Sequence, residues 1–147
     1  MQIATSMEGH TVNSPTSMSR PASSITFLYF DDLSAAKHFF GSVLELEMAS
    51  DQGFAVIWRT GATGFIGAVD ARKGSIPVRV RGGVLVSLNV CNVEEWHEKM
   101  TRVGVSELTP LKMHADIGLK SFFFKGPEGY DFEIQEFVRP EDRKVFL

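Results

Sequence analysis

The chain holds a single cysteine, Cys91, in 147 residues, so it can form neither an intrachain disulfide nor a cysteine-based zinc site. No apolar run approaches the roughly 18 residues that a membrane span requires. No basic start followed by an apolar core opens the sequence, so no secretory signal is expected. These absences suit a soluble protein in the reducing cytoplasm. A basic stripe is also missing. The net charge is -3, and the longest basic stretch, Arg72 to Arg81, is broken by Gly74 and Pro77. Nucleic-acid binders displace counterions with clustered cations, so no nucleic-acid partner is expected. The broken stretch reads as a solvated connector.

What is present describes one globular domain. Hydrophobic residues make up 44% and charged residues 22%, with 12 Phe. Residues 1–23 are rich in Ser, Thr, Met and Pro without an apolar period, and read as a flexible N-terminal tail, or as a segment that orders only against a partner surface. From Ile25 to Phe30 the chain is β-branched and aromatic, which predicts a strand. Asp32 can then cap a helix whose apolar face is Leu33, Ala36, Phe40 and Val43. Short strands are expected at Glu45 to Ala49, Phe54 to Arg59 and Phe65 to Val69, with turns at Asp51-Gln52-Gly53 and Gly61 to Gly64. Residues 70–82 form a linker.

The pattern then repeats. A strand is predicted at Val84 to Cys91, followed by a helix capped by Asn92, with Val93, Trp96, Met100 and Val103 inward and Gly104 at its end. Strands follow at Glu107 to Leu111, Leu119 to Phe124 and Asp131 to Phe137. At a constant offset of 60 residues, Asp32 meets Asn92, Ala36 meets Trp96, and Phe40 meets Met100. Each half is thus a βαβββ module, at 24–70 and 83–137, and the chain reads as a tandem duplication. Residues 138–147 are left as a C-terminal tail.

Two such modules resemble the vicinal-oxygen-chelate superfamily of glyoxalases, bleomycin resistance proteins and extradiol dioxygenases. The opening strand and helix, Phe27 to Leu33 with Ala35 to Phe40 and Val43-Leu44, are similar to that family's first motif. The hairpin Gly126-Pro127-Glu128-Gly129-Tyr130-Asp131-Phe132-Glu133-Ile134 is similar to its closing motif, with Gly126 where Asp is usual. The resemblance covers Ser24 to Phe137. It implies an α+β fold in which curled mixed sheets surround a central cavity, and a homodimer. It also implies a divalent metal on four side chains, of His nitrogen or carboxylate type. Carried over one at a time, those positions fall on Ile25, Ala68, Leu85 and Glu133. Only Glu133 can coordinate, so no metal and no cofactor are expected.

Strand alternation sorts the cavity lining. It turns Ile25, Phe27 and Tyr29 inward on the first strand, and Leu85, Ser87, Asn89 and Cys91 on its counterpart. The last strand turns Asp131, Glu133 and Gln135 inward. Phe27, Tyr29, Trp58, Ser87, Asn89 and Gln135 are therefore the candidate ligand-binding residues. Glu133, set among aliphatic neighbours, is the candidate general base, or else a relic paired with a residue such as Arg59. His114, expected in a loop over the cavity mouth, is the candidate second proton carrier, with an idle surface position as the plainer reading. Trp58 and Tyr29 are read either as stacking surfaces or as packed core. His38 and His97 are expected in solvent, His10 in the tail, and Cys91 as an inert buried thiol.

Three functions fit. One is a protein that binds a small organic ligand in the intermodule cavity without a metal, in the manner of bleomycin resistance proteins. The second is a metal-independent isomerase, lyase or cyclase using Glu133. The third, an interaction module without a ligand, leaves unexplained why polar residues keep to one strand face. Sequence does not separate the first two.

Overall fold

The computed structural model describes residues 20–147, so His10 and all but the last four residues of the expected N-terminal tail lie outside the described residues. Each half builds a four-stranded mixed sheet, giving the α+β class that the resemblance implies. The first half runs β1 (Ser24–Phe30), α1 (Leu33–His38), β2 (Met48–Asp51), β3 (Ala55–Arg59) and β4 (Gly64–Asp70). The second runs β5 (Leu85–Asn89), α2 (Val93–Val103), β6 (Lys112–His114), β7 (Leu119–Lys125) and β8 (Asp131–Phe137). The strand orders are β1-β4-β3-β2 and β5-β8-β7-β6, with first and last strands parallel in each module. Among the described residues, no helix is long and apolar enough to cross a membrane.

The caps act as their residue types suggest. Asp32 accepts from the Ala35 N–H at 3.0 Å, and Asn92 from the Glu95 N–H at 3.2 Å. Gly104, at φ 75°, closes α2 in the left-handed region. The first helix does not stay regular. Over Phe39–Val43 its turn widens, and the Leu44 N–H bonds the carbonyl five residues back, on Phe39, at 2.9 Å. Consecutive Phe39 and Phe40 are both buried as a result. Phe40 lies 5.0 Å from Trp58 of the first sheet, while Phe39 lies 4.9 Å from Phe132 of the second. Burying each ring is worth about 1.5–3 kcal/mol, before any gain from ring geometry. One helix therefore glues both sheets.

Polar contacts fix the seam between modules. The Tyr130 hydroxyl donates to the Tyr29 carbonyl at 2.8 Å and accepts from the Tyr29 N–H at 3.2 Å. The Glu128 carboxylate accepts from the N–H groups of Asp31 (2.8 Å) and Asp32 (3.1 Å).

Three differences from the sequence reading have physical causes. The strand expected at Glu45 to Ala49 begins at Met48, because Glu45 sits at φ 54°. The strand expected at Glu107 to Leu111 is displaced to Lys112–His114. There Glu107, at φ 52°, breaks the extended chain and Pro110 lacks an N–H for a ladder. The C-terminal segment is not a loose tail: Pro140–Phe146 forms helix α3. Proline at its first turn suits helix entry. Its Phe146 ring stacks on Phe137 at 4.6 Å, and Arg143 donates to the Phe137 carbonyl at 2.9 Å.

Tyr130→Phe removes the hydroxyl that serves both Tyr29 backbone groups. Chemical denaturation of the variant should show a loss of about 1–3 kcal/mol. An unchanged midpoint would mean that the seam does not depend on this bond.

Candidate functional site

The parallel pairing of β5 with β8 sets Ser87 beside Glu133 and Asn89 beside Gln135 on one sheet face. Ser87 Oγ donates to Glu133 Oε1 at 2.6 Å, and the Glu133 side is buried, with 7% of the residue exposed. One row along, Gln135 Nε2 donates to Asn89 Oδ1 at 2.7 Å. In the opposite direction Lys125 pairs with Asp131, whose carboxylate holds the lysine ammonium above its usual range. Phe123 of β7 lies directly across from Glu133. A cleft of about 550 Å³ borders this face, lined by Ser87, Asn89, Cys91, the Thr60–Gly64 turn and Phe146.

The expected central cavity is not closed within one chain. Leu85 and Phe123 remain 49% and 39% exposed, and Ile25 and Phe27 on the first sheet 40% and 41%. The helix layer packs against the opposite faces of both sheets, through Leu28, Phe30, Leu88, Phe132 and Ile134.

The structure divides the candidate residues. Ser87, Asn89, Glu133 and Gln135 come together. Phe27 and Tyr29 sit on β1 of the other sheet, where they line a separate cleft beside the linker. Trp58 is not a ligand surface: it is 1% exposed, its ring tilted against Phe40 in the core. His114 is in strand β6, not a loop, and its Nε2 lies 3.4 Å from Ser121 Oγ. Two strands and four residues separate it from the Glu133 row. At standard strand spacings the two Cα atoms lie roughly 16 Å apart; the His114 ring reaches Ser121, opposite Gln135, and makes no hydrogen bond to Glu133. Arg59 pairs with Glu47 at 3.8 Å and lies over Phe65, so it is not the partner of Glu133. Cys91 is exposed rather than buried. His97 is not in solvent: half-buried, its Nε2 lies 3.0 Å from the Thr109 carbonyl and its ring edge meets Phe122. His38 is exposed.

Ser121 and Phe123, absent from the candidates, belong to the Glu133 face. Their signal was the alternation along β7, where Phe122 and Phe124 pack into the core. The metal positions also need one correction. Phe27 pairs with Gly67, as Ser87 pairs with Glu133, so Gly67 and not Ala68 is the counterpart of Glu133. Ala68 faces the helices and is fully buried. The Phe27 ring lies on Gly67 so closely that a Cβ there would come within 2.4 Å of it. Ile25, Gly67 and Leu85 offer no donor, so the residues do not fit a divalent metal. Among the described residues no three His, Cys, Asp or Glu side chains cluster.

The model of the glyoxalase, bleomycin resistance protein and dioxygenase superfamily matches residues 22–134. The chain belongs to this superfamily. Solved structures share its fold at low identity. A lactoylglutathione lyase from Agrobacterium tumefaciens is 23% identical at TM-score 0.64, over 80% of this chain and 95% of its own. TioX from Micromonospora is 18% identical at TM-score 0.67, over 80% and 100%. The fosfomycin resistance protein FosX from Listeria monocytogenes is 17% identical at TM-score 0.63, over 82% and 95%. No curated protein matches the chain.

Glu133→Gln keeps an acceptor for Ser87 and removes the charge. Its unfolding free energy should stay within about 1 kcal/mol of the parent. A loss beyond about 3 kcal/mol would mark Glu133 as a structural anchor that must be ionised.

Proposed function

We propose that the protein binds a small organic ligand on the Glu133 face without a metal, and that a second copy of the chain closes the site. The observation that carries this is the donor set. Ser87 with Glu133, and Asn89 with Gln135, offer a hydroxyl, a carboxylate and two amides beside a cleft of about 550 Å³. Such groups orient a polar organic molecule, and Phe123 and Leu85 add apolar wall. The aliphatic Ile25 and Leu85 with Gly67 remove the metal chemistry of the family. Ligand capture is supported by relatives named for resistance to bleomycin and to fosfomycin. Exposed apolar faces on both sheets favour a homodimer that covers them. The exposed thiol of Cys91 suits a reducing compartment, and we place the protein in the cytoplasm.

A metal-independent isomerase, lyase or cyclase with Glu133 as base has less support. Among the described residues Ser87 is its only side-chain hydrogen-bond partner, and His114 meets Ser121 instead. A mechanism needs a second convergent group.

Melting curves with bleomycin, fosfomycin or S-lactoylglutathione, each with and without EDTA, test the reading. At least one should raise the melting temperature by mass action, equally in chelator. A rise that appears only with added zinc, nickel or iron would overturn metal independence, as would near one tightly held metal per chain. Sedimentation at micromolar concentration should give a dimer; a monomer would count against closure by a second copy.

A further inference from the structure

Between β4 and β5 the chain crosses the seam of the two modules as a strap. Its start is a turn in which the Asp70 carbonyl accepts from the N–H groups of Lys73 (2.9 Å) and Gly74 (3.0 Å). Its end is Arg81, whose Nη2 lies 3.1 Å from Asp31 and 3.0 Å from Glu128. Those two carboxylates belong to opposite modules, so the strap is tied to both. Between these anchors, residues 75–80 make no backbone–backbone hydrogen bond among the described residues.

Beneath the strap lies a cleft of about 430 Å³, whose walls include Phe27, Tyr29, Ile76, Val78, Val84 and Tyr130. That volume suits a compact ligand, and the walls are mostly apolar. Gly74 lets the Tyr29 ring lie against the strap, since a Cβ there would come 2.1 Å from the ring. The polar groups around the cleft are unequal. Tyr130 is engaged with the Tyr29 backbone, and Arg81 lies at ion-pair distance from two carboxylates, although its buried Nε and Nη2 make no hydrogen bond among the described residues. Arg79 also lines the cleft, and among the described residues no carboxylate lies within ion-pair distance of it. The Tyr29 phenol likewise has no hydrogen bond among the described residues. An apolar hollow with an unpaired, exposed guanidinium at its edge and one unbonded hydroxyl is complementary to an apolar molecule bearing one anionic end.

We infer that the cleft beneath the strap is a second binding site, distinct from the Glu133 face, for a compact apolar carboxylate. Its body rests against Phe27, Val78 and Val84, and its carboxylate meets Arg79. An arylcarboxylate fits this description; a neutral isostere leaves Arg79 unanswered and binds more weakly.

Fluorescence titration of the full chain with 2-naphthoate and with 2-naphthylmethanol tests this. The acid should bind at one site per chain, about tenfold more tightly than the alcohol. Arg79→Met, at an exposed position, keeps the apolar stem and should erase that preference. Val78→Asp should weaken both probes, with circular dichroism confirming that it folds. Glu133→Gln should leave both affinities unchanged. No binding of 2-naphthoate, equal affinities for acid and alcohol, or a preference that survives Arg79→Met would overturn the assignment. A loss of naphthoate binding in Glu133→Gln would do the same, by moving the ligand to the other face.

Discussion

The structure depends on a helix that must satisfy two sheets at once. Phe39 and Phe40 are adjacent in sequence, and on a regular helix neighbours point about 100° apart. The widened turn over Phe39–Val43 gives both rings a buried place, one on Phe132 and one on Trp58. The second helix has no such turn, and packs on β7 and β8 of its own module. The duplication is therefore symmetric in its strands and asymmetric in its glue.

That arrangement decides where chemistry can sit. Both helices take the inner faces of the sheets, so the other faces are left for a ligand or a second chain. On those faces the two modules have diverged in kind. The first carries rings and aliphatic groups, with Phe27 lying on Gly67. The second keeps a polar row, in which Ser87 holds Glu133 and Gln135 holds Asn89. The superfamily frame thus carries hydrogen-bonding groups on one of these faces and apolar groups on the other.

Much of the frame was legible because each signal had a mechanism. Strand alternation separated Leu28 and Phe30 from Phe27 and Tyr29, and the caps Asp32 and Asn92 marked both helix starts. The failures are equally specific. Ala55 to Trp58 is apolar at every position, so periodicity does not tell which face Trp58 takes. Counting from turn glycines misplaced the counterpart of Glu133, because Gly64 aligns with Tyr130 and Thr63 with Gly129. A slip of one residue exchanges the faces of a strand. His114 was misplaced because Glu107 and Pro110 push the edge strand onward, which composition alone does not reveal. The polar cluster at Ser87 and Glu133 was readable from alternation; the reach from Glu133 to His114 needed the strand order.

The two-sided helix also sets an order of events during synthesis. Chains emerge from the ribosome N-terminus first, and early segments begin to fold before later ones exist. Phe40 can find Trp58 as soon as the first module is made. Phe39 must wait for Phe124 and Phe132, which lie in the last two strands. Until some sixty residues more have been added, the nascent first module carries an unmatched aromatic ring beside its widened turn. The strap, whose residues 75–80 have no backbone–backbone hydrogen bonds among those described, spans this interval and leaves the second module free to swing onto that ring.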